Sequence, residues 1–324
     1  MVYNMSKLGV AVVGVGFWGK NHVRVFSELT ETELLAVCDV NKERAQTIGE
    51  KYGVEAYSDS KELLKRKDIE AVSICTWTTT HAVEAMRALK AGKHTFVEKP
   101  LASTIKEAKQ IVDFARQRRK HLAVGFIERF NPSVQRAKEI LAKGEIGELV
   151  SATAKRVSQW PERIGDVGVV KDYAIHEIDI MRKIFEDDPI TVYAKVGSLK
   201  HVKYEDYAQI MLTFRHGKTA FIEANWLTPY KIRKLSLTGS DAIMELDYLT
   251  QEISVETSER TTKPRYEWRE PLKLELQHFA RKMLKNEEPE VTGVDGLKAL
   301  IIAEAAIESS KSDHSIRLNF DRLS

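Results

Sequence analysis

Between residue 8 and about residue 125, apolar positions come in short unbroken runs, each followed by a stretch with helical spacing. The runs are Leu8–Val13, Leu34–Cys38, Ala71–Cys75, Thr95–Val97 and Leu122–Gly125. The helical stretches are Lys20–Leu29, Lys42–Tyr52, His81–Lys90 and Ile105–Arg118, and a shorter strand–helix pair covers Ala56–Lys65. Strands without polar alternation are covered on both faces, as in a parallel sheet. Their regular alternation with helices predicts an α/β Rossmann domain with a doubly wound sheet.

The pattern changes after Asn131-Pro132. A helix is expected at Val134–Lys143, a strand at Glu148–Val157 and a helix at Asp172–Phe185. Strands are then expected at Thr191–Val196, Ala208–Arg215, Thr219–Ala224, Arg233–Thr238 and Ile243–Asp247, with hairpin turns at His216-Gly217 and Gly239-Ser240. Helices return at Lys273–Leu284 and Gly296–Ser309. This predicts a C-terminal α+β domain with a large, mostly antiparallel open sheet. The expected division is residues 1–125 for cofactor binding and 126–324 for substrate binding and oligomerisation, the final helices packing back on the first domain. A sheet with helices on one face must cover the other or expose apolar surface. A homodimer or homotetramer through that sheet is therefore expected.

Composition adds mostly exclusions. The chain has 324 residues and a formal net charge of +3, too balanced to suggest nucleic acid as a partner. No apolar run approaches membrane-spanning length, so no membrane partner is expected. Met5 is an alternative start to Met1, since the lead-in has no apolar core of its own. Two cysteines, Cys38 and Cys75, form no disulfide framework and suit a reducing, cytoplasmic location. In a doubly wound sheet the first strand separates theirs by two strand spacings, roughly 9–10 Å, beyond disulfide reach. The nine histidines include no H-E-x-x-H pair, and no metal is expected.

Gly14-Val15-Gly16-Phe17-Trp18-Gly19 is G-x-G-x-x-G between an apolar strand and a helix. Gly14 permits the tight turn, Gly16 lets the backbone approach a pyrophosphate, and Gly19 lets helix and strand pack closely. The helix N-terminus then offers N–H groups to phosphate. Asp39 ends the second strand at the spacing of a ribose-binding carboxylate, which favours NAD over NADP; the alternative is an N-cap for the next helix. Arg44 nearby softens that preference, so NADP stays open. Thr76, Trp77 and Thr78 follow the third strong strand, at the edge where such folds bind ligands, with His81 just beyond. Phe17, Trp18, Glu98 and Lys99 complete the candidate cofactor contacts.

Glu98-Lys99-Pro100 stands at the end of the Thr95–Val97 strand, and Pro100 restricts the backbone of Lys99. Asp172 and His176 are four apart, on one face if the segment is α-helical. Together with Gly125-Phe126, Arg129-Phe130 and Asp179, these motifs make the chain resemble, over nearly its whole length, the glucose–fructose oxidoreductase / inositol dehydrogenase / rhizopine-catabolism family of NAD(P)-dependent sugar oxidoreductases. Ala174 departs from the glycine that many members carry there. The resemblance implies Lys99, Asp172 and His176 as the catalytic set. His176 suits the base that takes the hydroxyl proton, Asp172 orients it or shares the proton, and Lys99 stabilises negative charge on the reacting oxygen.

A narrower resemblance lies in Gly125–Pro132, Asp166–Asp172 and Glu223–Pro229, which look like the branch that oxidises UDP-N-acetylglucosamine at C3. On that reading Arg129, Asn131, Arg156 and Arg163 are candidate diphosphate ligands. Trp160 and Tyr173 are candidate platforms for sugar or uracil, beside Lys99 and His176. The alternatives are a dehydrogenase of a free sugar or cyclitol such as myo-inositol, and a non-catalytic NAD-binding regulator.

Overall fold

The structure, a computed structural model, describes residues 7–162 and 165–320. Arg163 lies outside the described residues. The chain divides into two compact units: residues up to Phe126 with Leu272–Leu297, and Ile127–Pro271 with the chain from Lys298 onward.

The first unit contains β1 (Leu8–Val13), α1 (Gly19–Glu28), β2 (Thr32–Cys38), α2 (Lys42–Tyr52), β3 (Glu55–Tyr57), α3 (Ser60–Leu63), β4 (Ala71–Ile74), α4 (Thr78–Lys90), β5 (His94–Glu98), α5 (Ile105–Gln117) and β6 (Leu122–Gly125). Its six strands are all parallel, in the order β3-β2-β1-β4-β5-β6. The winding direction reverses between β1 and β4, the crevice where such sheets bind ligands. All of β1, β4 and β6 is buried, which is why these runs carry no polar alternation. Local signals set the helix ends. Asn41 caps α2 by accepting from Arg44 N, Gly53 ends it at φ +66°, and Thr104 with Glu107 forms a capping box on α5. Helix α4 starts at Thr78, three residues before the expected His81. Cys38, the last residue of β2, and Cys75, just after β4, are free thiols, and β1 lies between those two strands.

The second unit contains α6 (Pro132–Ala142), β7 (Leu149–Val157), α7 (Ile175–Phe185), β8 (Thr191–Gly197), β9 (Tyr207–Thr213), β10 (Thr219–Asn225), β11 (Ile232–Gly239), β12 (Ile243–Asp247), β13 (Ile253–Glu256) and β14 (Thr261–Thr262). Helices α8 (Pro271–Leu284) and α9 (Gly293–Ser312) follow, then β15 (Ile316–Arg317). Most of α8 and the first turn of α9 belong to the first unit, where Gly293 and Gly296 leave room for Leu122 and Val124 of β6.

The second sheet has nine strands, in the order β14-β13-β12-β11-β7-β10-β9-β8-β15. Every pairing is antiparallel except β7 with β10. Alternation is clean: Ala152, Ala154, Ala220, Ile222, Ala224, Ile210, Leu212, Leu235 and Leu237 are buried on one face. Small alanines on the central strands let α7 pack close. On the other face Phe221 and Ile243 are exposed. Both expected hairpins form, β9–β10 around His216-Gly217 and β11–β12 around Gly239-Ser240.

One expected helix is built differently. The segment read as α-helix from Asp172 begins with a π turn at Val170–Ala174, and α-geometry resumes at Ile175. The N–H of Ile175 bonds back to the carbonyl of Val170. Glu205 holds the start of this turn, its backbone carbonyl accepting from Val169 N at 3.0 Å. Gly168 lets the Glu205 carboxyl lie close, since a Cβ there would be 2.2 Å from it. Asp172 and His176 thus straddle a change of helical pitch, so the simple one-face argument does not apply. Such turns recur at functional sites.

Candidate active site

In the first unit the glycine loop and the loop after β4 meet at the winding reversal. Gly14 has φ +86°, and a Cβ there would sit 2.7 Å from Thr76 N. A Cβ on Gly19 would lie 1.8 Å from the Gly14 carbonyl. Each is a position only glycine fills. The N-cap of α1, Trp18, makes no side-chain bond to the helix start, and the first turn carries no acidic residue. Lys20 N and Asn21 N turn back to the carbonyls of Gly16 (3.3 Å) and Trp18 (2.8 Å), and the positive end of the helix faces the glycine loop, where an anion is favoured. Phe17, Val40 and Trp77 are exposed apolar side chains on the loops at this edge. These features fit a dinucleotide.

Asp39 is buried, and Asn41 rather than Asp39 caps α2. The Asp39 carboxylate accepts from Val15 N (3.0 Å) and Asn41 N (2.9 Å), and Arg44 Nη1 reaches both its oxygens at 3.2 Å. It thus ties the glycine loop to the end of β2, with Arg44 at its exposed side. Thr76 is half-buried, Trp77 exposed and Thr78 buried in the first turn of α4. His81 is placed differently from the expected cofactor contact. It is 1 % exposed, and its ring nitrogens meet the carbonyls of Pro100 (2.8 Å) and Thr76 (3.2 Å). It links two loops from below.

Glu98 is buried under the same edge. Its Oε1 accepts from Trp18 Nε1 and bonds His22 Nε2, both at 3.0 Å, while His22 Nδ1 meets Ser73 Oγ at 2.9 Å. Gly125 on β6 makes the space, since a Cβ there would be 2.7 Å from Glu98 Oε1. Burial opposes a charge on His22, but Cys75 and Glu98 beside it raise its pKa to about 10. Burial likewise opposes the Glu98 carboxylate, yet His22, Lys99 and Trp18 hold it below the ordinary range. Lys99 follows, half-buried, joined to Pro100 by a cis peptide. His22 and Ser73 carry no sequence signal of this role, because His22 stands 76 residues from Glu98 and Ser73 stands 51 residues from His22.

In the second unit Asp172 and Tyr173 are half-buried in the π turn, and His176 is buried in the first turn of α7. Tyr173 Oη lies 3.0 Å from Ser158 Oγ, and its ring packs edge-on against buried Trp226. Trp160, 37 % exposed, packs edge-on against the same indole and stacks on His201. Trp226 thus joins the two expected platforms from below.

The expected diphosphate ligands are engaged elsewhere. Arg129 is 5 % exposed and bidentate to Asp179, Nε to Oδ2 at 2.7 Å and Nη2 to Oδ1 at 2.5 Å. Asn131 is 1 % exposed; its Oδ1 caps α6 at Ser133 N, and its Nδ2 donates to Glu128 and to the Tyr248 carbonyl. Arg156 is 1 % exposed and donates to Glu177 Oε1 (2.7 Å) and Glu128 Oε1 (2.6 Å). Tyr248 Oη completes Glu177 at 2.9 Å. A guanidinium surrounded by internal carboxylates has little left for a phosphate, so the diphosphate role is withdrawn from these three residues. Arg129 and Arg156 fasten α7, which carries His176, to the turn after β6 and to β7, while Asn131 ties that turn to the Tyr248 carbonyl.

Comparison with known proteins agrees with both units. Residues 8–126 match the family model described as "Oxidoreductase family, NAD-binding Rossmann fold", and residues 134–245 match the "GFO/IDH/MocA C-terminal domain". The chain is 30% identical to an uncharacterized oxidoreductase, YrbE, of Bacillus subtilis, with 94% of each chain covered. It is 28% identical to the myo-inositol 2-dehydrogenase of Thermotoga maritima, covering 95% of this chain and 98% of that one. The solved structure of the UDP-N-acetylglucosamine 3-dehydrogenase of Acidithiobacillus ferrooxidans is 26% identical and superimposes with a TM-score of 0.87, over 95% of this chain and 99% of that one. The chain therefore belongs to the GFO/IDH/MocA oxidoreductase family, with an NAD-binding Rossmann fold at its N-terminus and that family's C-terminal domain.

Proposed function

We propose that this oxidoreductase converts a secondary hydroxyl of a sugar to a ketone with NAD, and that C3 of UDP-N-acetylglucosamine is its substrate position. The observation that carries the reaction class is the retention of Lys99, Asp172 and His176 in a chain whose first unit fits a dinucleotide. A non-catalytic regulator has no need of the three.

The glycine loop, with Asp39 at the ribose, would hold NAD, which would accept the hydride from the carbinol carbon. As the carbinol C–H breaks, the hydroxyl proton goes to the imidazole of His176. Asp172 orients the imidazole or takes the proton onward. The Lys99 ammonium donates to the reacting oxygen, favouring its negative character while the carbonyl forms. Glu98 bonds the Lys99 backbone N–H at 3.3 Å and so steadies the residue from beneath.

Two relatives pull the substrate in different directions. The UDP-N-acetylglucosamine 3-dehydrogenase supports the nucleotide sugar. The myo-inositol 2-dehydrogenase supports a free cyclitol equally. The test is NAD reduction with UDP-N-acetylglucosamine, its uronic acid, glucose and myo-inositol, with a carbonyl trap present because ketone formation is uphill. Turnover with a UDP-sugar alone upholds the reading, and turnover with myo-inositol alone replaces it with the second. We also propose that the exposed face of the nine-stranded sheet, with Phe221 and Ile243, pairs copies of the chain. Light scattering on Phe221→Glu would then give a smaller particle than the unaltered protein.

A further inference from the structure

Strand β11 pairs with β7 so that buried apolar neighbours run in register: Leu237 with Ala152, Leu235 with Ala154. The next pair on that face is Arg233 opposite Arg156. Like charges directly opposed across a ladder are destabilising, more so where water is excluded. Arg156 is fully compensated by Glu177 and Glu128. Arg233 is not. Among the described residues its one ion pair is with Glu128 Oε1 at 3.5 Å, an oxygen that already accepts from Arg156 at 2.6 Å. The other Glu128 oxygen is taken by Asn131 at 3.0 Å. The Arg233 Nε is buried and has no partner. Burial and Arg156 both press its pKa below the ordinary arginine value. Lys231 adds a third cation, its own pKa lowered first by Arg233, then by burial and by Arg156. Three cations thus face two carboxylates, Glu128 and Glu177. Tyr173, of the motif that carries Asp172 and His176, is within electrostatic reach of Arg233. The Arg233 side chain keeps 26% of its surface open.

We propose that Arg233, with Lys231 beside it, is an anion subsite of the second unit that takes the charged oxygens of a phosphate or carboxylate on the sugar substrate. This deepens the reading of the second unit as the substrate-holding one and rests on it. Arginine suits the task because its planar fork meets two anionic oxygens at once. An anion there supplies the charge that Glu128 cannot, and it explains why an arginine stands where the ladder would favour an apolar residue. Arg129 and Arg156, by contrast, are closed off by their own carboxylates.

The test uses the full chain with NADH saturating, so that phosphate probes are kept off the glycine loop. Binding of inorganic pyrophosphate, UDP and D-glucuronate is measured by calorimetry at low ionic strength. The unaltered protein should bind at least one of them saturably, and Arg233→Met should bind it at least tenfold more weakly. Pyrophosphate and UDP binding identifies a phosphate source, and glucuronate alone identifies a carboxylate. Without ligand, Arg233→Met should melt at the same or a higher temperature, because it removes an uncompensated charge. Lys231→Met, at an exposed position, should weaken binding with no change in melting. A lower melting temperature for Arg233→Met would make Arg233 a structural cation and overturn the proposal. So would equal anion binding by both variants, or no anion binding at all. Turnover of D-glucuronate but of no UDP-sugar, with anion binding intact, would sink the nucleotide-sugar reading and leave the subsite standing; turnover of myo-inositol alone, which carries no anionic group, would overturn both.

Discussion

Glu98 in the first unit and Glu177 in the second are both buried, each next in sequence to a candidate catalytic side chain, Lys99 or His176. Their protons behave oppositely. Around Glu98, burial is outweighed by His22, Lys99 and Trp18, and the carboxyl is held below its usual range. Around Glu177, burial prevails although Arg156 opposes it, and the second carboxylate, Glu128, adds to the rise. The difference lies in sharing. Glu98 has donors to itself, whereas Glu177 and Glu128 divide Arg156 between them. A buried charge is tolerated where its own partners outnumber its rivals.

Four measurements would break or sharpen this contrast. The largest effect is expected at the side chains these carboxylates sit beside. Lys99→Ala and His176→Ala should each lower kcat by about 10²–10⁴ while NAD still binds, the usual worth of a positioned acid–base group. Near-normal turnover in either would remove that residue from the reaction. Next is Arg156→Met, which strips the shared cation from Glu177 and Glu128. Denaturant melts at neutral pH should show a loss of about 3–5 kcal/mol. The deficit should shrink in acid, because a carboxyl whose folded pKa is raised costs stability above its unfolded pKa and not below it.

A smaller change is expected from His22→Gln, which keeps hydrogen bonds near Glu98 but loses the charge; about 1.5–3 kcal/mol is the scale for such a bond. The sign follows from the raised pKa of about 10. His22 contributes fully below its unfolded value near 6.5 and loses its contribution as the pH climbs through about 10. Glu98, with a lowered pKa, contributes above its unfolded value near 4.5 and fails only in acid. The unaltered protein should therefore lose melting temperature between pH 7 and 10, and the variant should lose less. An identical alkaline slope in both would mean that His22 is neutral in the fold. The smallest effect is expected at Asp39→Ala. The ratio of NADP to NAD efficiency should rise about tenfold, the scale of one charge-assisted hydrogen bond, as Arg44 is freed for a 2′-phosphate. An unchanged ratio would assign Asp39 to loop support through Val15 alone.

The glycine loop, the strand–helix alternation and the two hairpin turns were legible because each depends on neighbours in the chain. The glycines at 14 and 19 mark backbone positions that no side chain fits, and His216-Gly217 and Gly239-Ser240 mark reversals. The two-residue edge strands β14 and β15 carry too few residues to set a pattern. The π turn was read as α-helix because apolar spacing cannot resolve one extra residue per turn. The roles of Arg129 and Arg156 were misjudged for a different reason. Their partners lie 50 residues away at Asp179, and 21 and 28 residues away at Glu177 and Glu128.

What this sequence determined by itself is therefore the class of each unit, the cofactor edge, and the chemical types that stand at positions 99, 172 and 176. Periodicity, turn chemistry and glycine placement are local constraints, and local constraints are written in order along the chain. The tertiary structure decided which charges are available. A guanidinium reads the same in sequence whether it meets two carboxylates, as Arg156 does, or half of one, as Arg233 does. Only the pairing of β7 with β11 and the seating of α7 on β7 separate the two, because the energy of a buried charge is set by what surrounds it in space.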